Sequence, residues 1–392
     1  MGDIFSHPFD VLAAIPQLPD ETYLVLHYTE RCNATCAHCI VESGPHRAGV
    51  MDPEVARAAI ESASRLPDLQ LVVFTGGESF LHLDEILALC RFSRAQGMKT
   101  RVISNGYWAR TPEAAAAMLE RVGEEGVDQL VISFDAFHLP FIAPERVLNV
   151  HRGARLAKRA PYLAFSTVIP ARAEAQELVE VPGGLRFPRA VVETLAAYDF
   201  PLDQCVPRTI AHAQLALLDS KEARERFKRA MVHERAMVSW ESLALGGRAA
   251  REARHLTVMK PLPAVSTPCS IAGLQVTIPS NGRLFPCCSA WTNHREHAFG
   301  VVGKDSDFAT LQAQMLDDSL VRFIHDHGPG ELLAFLREQG AGAPDRYSDI
   351  CNMCDALFTR FSLDELRNAV TLYHRARPWA QLIADVRRSP RD

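Results

Sequence analysis

Cys32, Cys36 and Cys39 stand in the spacing C-x3-C-x2-C, which lets three thiolates meet on one metal centre within a single short loop. Most iron–sulfur clusters take four cysteine ligands, so a set of three leaves one iron open to an outside ligand, as a catalytic zinc keeps a position for water. Two plainer uses compete. A zinc knuckle would want a fourth ligand close by, and a hydrophobic core has no need of three thiols on one loop. Five more of the ten cysteines are grouped: Cys269 with Cys287 and Cys288, then Cys351 and Cys354. The opening residues lack a signal-peptide pattern, so a reducing, cytoplasmic setting is expected, where clustered cysteines mean metal or catalysis rather than disulfides.

The elements that must carry these residues are legible in the apolar pattern. Short apolar runs at 23–28, 70–74, 100–104, 129–134, 162–169 and 206–210 alternate with amphipathic stretches at 53–65, 83–96, 112–124, 144–158 and 189–197, the signature of successive βα units on a parallel sheet. Asp52-Pro53-Glu54 and Thr111-Pro112-Glu113 read as helix starts. Six such units predict an α/β fold, an open (βα)6 barrel rather than the closed eight-stranded form, with a cleft able to admit a bulky substrate. The cysteine loop then follows the first strand. Thr75-Gly76-Gly77-Glu78 follows the second, Ser104-Asn105-Gly106 the third and Ser133-Phe134-Asp135 the fourth. Taken alone, each of these is a turn or a cap.

Beyond the barrel, 219–254 is rich in Arg, Glu, Ala and Leu at helical spacing and reads as one or two exposed helices without identifiable chemistry. A proline-marked linker follows, and then a β-hairpin, 275–278 with 283–285, around Asn281-Gly282. The predicted organisation is an N-terminal arm (1–20), the barrel (21–215), a helical linker (216–262), a small cysteine-bearing domain (263–360) and a terminal helix (361–392). With 42 basic and 47 acidic residues the formal charge is -5, both signs interspersed, so no nucleic-acid footprint is visible. No run reaches the roughly 20 apolar residues that cross a bilayer, and no membrane partner is expected. Met1-Gly2 fits the short myristoylation pattern, which matches often by chance.

The loop Cys32–Cys39 after a first strand resembles the radical S-adenosylmethionine superfamily, whose C-x3-C-x2-C loop follows the first strand of a partial (βα)6 barrel. That resemblance implies a [4Fe-4S] cluster on Cys32, Cys36 and Cys39 whose open iron chelates S-adenosylmethionine, giving a 5′-deoxyadenosyl radical for C–H hydrogen abstraction. It further implies that His38 packs on adenine and that Gly76, Gly77 and Glu78 correspond to the motif receiving the methionine ammonium. Ser104, Asn105 and Asp135 are then expected near ribose, carboxylate or substrate.

Cys269, Gly282, Cys287 and the later Cys351-x2-Cys354 resemble the twitch form of the auxiliary-cluster domains, implying that Cys269, Cys287, Cys351 and Cys354 hold a second [4Fe-4S] cluster. A zinc ribbon is the alternative. Cys288 is then left over beside a ligand. The string Phe285-Pro286-Cys287-Cys288-Ser289, with Phe74–Glu78, Ile103–Trp108 and Ile132–His138, is similar to the epipeptide (YydG-type) radical S-adenosylmethionine peptide epimerases. In those enzymes the second cysteine of the pair returns hydrogen to an inverted Cα.

That resemblance makes Cys288 the catalytic hydrogen donor, a peptide the substrate, and a flavodoxin or ferredoxin the electron source. The alternative is a radical dehydrogenase or epimerase of a sugar, aminocyclitol or other small natural-product intermediate; a third is a metal protein used only for binding. Cys205 is a lesser donor candidate, Cys90 reads as core, and His138 and His212 are pocket candidates. His294, His297, His325 and His327 populate the long spacer before Cys351.

Overall fold

A computed structural model of the chain describes residues 22–218 and 220–377; the expected N-terminal arm and the last part of the expected C-terminal helix lie outside them. Eight strands form one sheet: β1 (Thr22–Thr29), β2 (Leu69–Gly76), β3 (Lys99–Ser104), β4 (Gln129–Ser133), β5 (Tyr162–Ile169), β6 (Cys205–Pro207), β7 (Ala236–Ser242) and β8 (Gln275–Pro279). Their spatial order is β8-β1-β2-β3-β4-β5-β7-β6, and every pairing is parallel. The fold is α/β, with helices joining successive strands. Among the described residues no ladder joins β8 to β6, so the sheet stays open.

Helices Pro53–Ala63, Leu83–Ala95, Pro112–Glu124 and Pro144–Leu156 fall where the periodicity put them. The side chains of Asp52 and Thr111 cap the first and third, each ahead of a proline at the first helical turn. Alternation sends Leu24, Leu26 and Tyr28 of β1 into the helix-covered core, where all are 0% exposed. Cys90 is buried in this core, as expected.

Two expectations need correction. The strand beside β5 is β7, not the run at 206–210. That run supplies only the three-residue β6 at the sheet's far edge, because helix Arg208–Ala216 begins directly after Pro207. The stretch 216–262, read as a helical linker, holds helix Lys221–Glu234 and then β7, with Ala236, Met237 and Val238 buried. A seven-residue strand between charged helical segments is outweighed in composition by its neighbours, although sheet pairing decides its conformation.

The second correction concerns the hairpin. Its turn is present: Gly282 adopts φ 74°, and Thr277 and Phe285 exchange backbone hydrogen bonds of 2.9 and 2.8 Å. Its first strand is β8, however, which also pairs in parallel with β1 from Tyr23↔Gln275 to His27↔Pro279. The cysteine-bearing C-terminal segment therefore shares a sheet with the first cysteine loop. The terminal helix Leu363–Ala376 is opened by a capping box of Ser362 and Glu365.

Candidate active site with two cysteine groups

The first cysteine group lies in the loop leaving β1. Cys32 N donates to Gly44 O (3.1 Å) and Gly44 N to Glu30 O (3.3 Å), closing the loop at its base, while Cys39 N donates to Cys36 O (3.1 Å) in a tight turn. Cys36 and Cys39 lie near enough to Cys32 that a thiolate on either would oppose its ionisation. Burial pushes the Cys32 thiol up to about 12 and raises Cys39. A metal binding here must therefore displace thiol protons.

Gly76 and Gly77 are explained by the chain itself. Gly76 has φ 114°, and a Cβ on it would lie 2.5 Å from Thr29 O; one on Gly77 would lie 1.9 Å from Arg31 O. Gly77 N and Glu78 N donate to Thr29 O (2.6 Å) and Arg31 O (2.9 Å), so this turn seats the backbone that launches the cysteine loop. Gly77→Ala is expected to cost about 1–3 kcal/mol by forced displacement of Arg31. Denaturant titration, with iron uptake by the same variant, measures it.

Glu78 is 1% exposed. Its carboxylate accepts from Ser104 Oγ (2.8 Å), Asn105 N (2.8 Å) and Phe80 N (3.0 Å). Burial raises its pKa against the pull of those donors. A carboxylate has about four lone-pair positions, so these three contacts leave about one for a further donor. Asn105 Nδ2 donates to Asn33 Oδ1 inside the cysteine loop (2.8 Å). Glu78, Ser104 and Asn105 thus form one network joining the ends of β2 and β3 to that loop. Glu78→Gln turns an NH2 group against these donors and should cost about 1–3 kcal/mol in thermal or denaturant unfolding.

At the end of β4, Asp135 accepts from the backbone N of Phe137 (2.9 Å) and His138 (3.0 Å) and from the His138 ring (2.9 Å). Burial works against the Asp135 charge, but His138 outweighs it and holds the carboxyl below its ordinary range. Burial likewise opposes a charged His138, and Asp135 overrides it, raising that imidazole well above its usual value. His38 lies 3.7 Å from Asp135, with its ring 4.8 Å from Phe137, and burial lowers it to about 4. Its buried Nδ1 meets no hydrogen-bond partner among the described residues. Cys36, His38 and His138 present ligand atoms all within 4.8 Å of one another. His138, a pocket candidate from sequence, therefore belongs beside Cys36.

The second cysteine group also assembles. Cys269, Cys287, Cys351 and Cys354 line one small cavity with Ile271, Ala290, Trp291 and Ile324, so all four border the same largely apolar space. Helix Ile350–Arg360 brings Cys351 and Cys354 in on one turn, capped by Asp349. Burial raises all four thiols. Such a donor set fits a fully ligated four-iron cluster or a tetrahedral zinc.

Cys288 does not line that cavity. Its Sγ donates to Gln275 Oε1 (3.1 Å) at the start of β8, and burial pushes its thiol up to about 12, aided by the Glu241 charge. Gln275 pairs with Tyr23 across the β8–β1 ladder. Arg101 stands 5.8 Å from the Tyr23 ring centre and bonds Gln129, which pairs with Tyr162; the Tyr162 hydroxyl in turn reaches Met237 Sδ (3.1 Å). Gln275, Tyr23, Arg101, Gln129 and Tyr162 are each only partly buried although they sit within the sheet, and by strand alternation they form a polar layer on the face opposite Leu24, Leu26 and Tyr28.

His212 joins this layer, its ring 6.4 Å from Tyr162. Cys205 does not. It pairs with Ala236, one residue out of phase with Met237, and its Sγ faces Pro201 O (3.5 Å). The polar layer was missed from sequence, though partly polar residues alternating within apolar strands were a usable signal. Also missed was Gly246-Gly247-Arg248, inside the segment read as inert. His294 and His297 are tied to Asp355 (3.0 Å) and Phe358 O (3.2 Å), which fastens their turn to the Cys351 helix.

A parallel sheet with a three-cysteine loop after its first strand defines a class, and residues 26–160 match the family model of the Radical SAM superfamily. Residues 26–160 thus form a radical S-adenosylmethionine domain. Among curated proteins it is similar to "Putative peptide biosynthesis protein YydG" of Bacillus subtilis (strain 168), 28% identical over 130 residues, 33% of this chain and 41% of that one. It is also similar to "Tungsten-containing aldehyde ferredoxin oxidoreductase cofactor-modifying protein" of Pyrococcus furiosus, 30% identical over 114 residues, 29% of this chain and 30% of that one. The chain spans less than half the length of either relative.

Among solved structures, the chain resembles Streptococcus suis SuiB bound to precursor peptide SuiA (TM-score 0.46, 13% identity, 84% of this chain and 75% of that one). It also resembles anSMEcpe with bound AdoMet (TM-score 0.46, 13% identity, 93% and 99%). BtrN in complex with AdoMet and 2-DOIA is a third (TM-score 0.41, 11% identity, 81% and 91%). No helix among the described residues is long and apolar enough to cross a membrane.

Proposed function

We propose that this protein is a radical S-adenosylmethionine epimerase that inverts a peptide Cα, with Cys288 as hydrogen-atom donor. Cys32, Cys36 and Cys39 hold the [4Fe-4S] cluster, and Cys269, Cys287, Cys351 and Cys354 hold an auxiliary [4Fe-4S] cluster. The reduced first cluster and S-adenosylmethionine together supply a carbon radical that removes one hydrogen atom from the substrate. His38, Glu78, Ser104, Asn105 and Asp135 line the strand ends around that cofactor, Asn105 holding the loop through Asn33 and Asp135 holding His38 and His138 in place.

The observation that carries the epimerase reading is the position of Cys288. Its thiol is next in sequence to a cavity-lining cysteine, yet it bonds Gln275 on the polar layer of the sheet. Removal of the Cα hydrogen leaves a planar carbon radical. A new C–H bond then forms from the Cys288 S–H on the opposite face, leaving a thiyl radical that one electron and one proton restore. A low-potential carrier such as a flavodoxin or ferredoxin would supply that electron, and a cluster held by Cys269, Cys287, Cys351 and Cys354 would provide redox chemistry next in sequence to Cys288. The name of the Bacillus relative, a putative peptide biosynthesis protein, supports a peptide substrate.

Anaerobic turnover in D2O with S-adenosylmethionine, dithionite and a candidate peptide tests this. One deuteron per inverted residue is expected, together with 5′-deoxyadenosine. Loss of two hydrogens from the substrate would instead establish a dehydrogenase.

A further inference from the structure

The cysteine loop is gripped from outside by a residue some 200 positions away. Arg248 N donates to Cys39 O (3.1 Å), its Nη1 to Cys36 O (3.0 Å) and its Nη2 to Ser43 O (2.6 Å). One side chain and its own amide therefore satisfy three carbonyls spanning the last two cysteines and the return of the loop. The side chain is only 12% exposed, with Glu252 at the edge of ion-pair range at 4.0 Å, so the guanidinium is committed to backbone oxygens rather than to a close carboxylate. Its charge is felt by both Cys39 and His38.

The segment bearing Arg248 is itself fixed. Gly247, at φ 53°, passes so close to the loop that a Cβ would lie 2.2 Å from Ile40 O, and a Cβ on Gly246 would meet the Ile40 side chain at 2.8 Å. Two residues earlier, Leu245 N donates to Asp349 Oδ2 (3.1 Å). Asp349 is the residue whose other oxygen caps the helix of Cys351 and Cys354 through Asn352 N (2.9 Å). Residues 245–248 thus form a strap from the capping residue of the four-thiol helix to the three-thiol loop.

We infer that Arg248 is a positioning residue for the first cluster: its fork fixes the carbonyls of Cys36 and Ser43 so that the three thiols converge, and its fixed charge eases reduction of an anionic cluster beside it. This rests on the radical S-adenosylmethionine reading above. Two chemical properties separate in mutants. Lys keeps the charge but not the fork, whereas Gln keeps hydrogen-bonding capacity without charge.

Wild type, R248Q and R248K are reconstituted anaerobically as full chains, and iron per chain, the reduction potential of the first cluster and its spectral response to S-adenosylmethionine are measured. R248Q is expected to lose several-fold in first-site iron while keeping the four-thiol site filled, and the cluster it retains should have a lower potential. R248K should return the potential toward wild type, with iron loading still reduced. R248Q matching wild type in iron and potential would overturn the inference. Should R248Q fail to fold, wild-type iron loading in R248K would refute the forked grip on its own. A wild-type cluster indifferent to S-adenosylmethionine would instead defeat the proposed function, which keeps the two failures apart.

Discussion

Cys288→Ala is expected to abolish inversion while cleavage of S-adenosylmethionine continues. On the proposed function the two events use different parts of the molecule: radical formation would need the loop after β1, whereas Cys288 reaches the sheet through Gln275 at the start of β8. Without the S–H, a planar substrate radical has no donor on its second face. D-residue formation should fall to background, and deuterium from D2O should no longer enter at the inverted carbon. The fold should survive, because the change removes one part-buried hydrogen bond, worth about 1 kcal/mol. Cys288→Ser should behave alike, since an O–H bond is too strong to yield its hydrogen to a stabilised Cα radical. Chiral amino-acid analysis of the product peptide, run beside chromatography of 5′-deoxyadenosine, reads both halves of this expectation. Normal inversion by either variant would remove Cys288 from its role.

Cys36→Ala is expected to have the larger effect, eliminating 5′-deoxyadenosine altogether. Two thiolates cannot hold a cluster that presents one open iron, and the substitution also removes the thiol beside the His138 imidazole. Iron should fall from about eight to about four atoms per chain, the remainder in the four-thiol site. If the variant still made 5′-deoxyadenosine at the wild-type rate, the loop would not be the radical-forming site.

Much of this site was legible in the sequence because spacing and strand ends are local properties. C-x3-C-x2-C after an apolar run places three thiols on one loop, and the turns after β2, β3 and β4 fall at the same rim by the geometry of βα units. The hidden parts depend on distant partners. Gly76 and Gly77 stand in a turn expected to receive a ligand, and a second demand on them, the close backbone of Thr29 and Arg31, appears only with the β1–β2 pairing. Strand β7 is hidden between charged helical sequence because its conformation is fixed by pairing with β5. Arg248 carries no motif, and its importance appears only when the strap closes on Cys36 and Ser43. The pairing of β8 with β1, which brings Cys288 to the sheet, could not be read from a local Asn-Gly turn.

Low-temperature electron paramagnetic resonance of the dithionite-reduced, oxygen-free protein, recorded before and after addition of S-adenosylmethionine, tests the three-thiol loop most directly. A set of three ligands predicts that one signal shifts on addition, that Cys36→Ala lacks this signal, and that the signal from the four-thiol site is unmoved. A preparation that binds only zinc, or a cluster signal unchanged by the cofactor, would contradict the assignment.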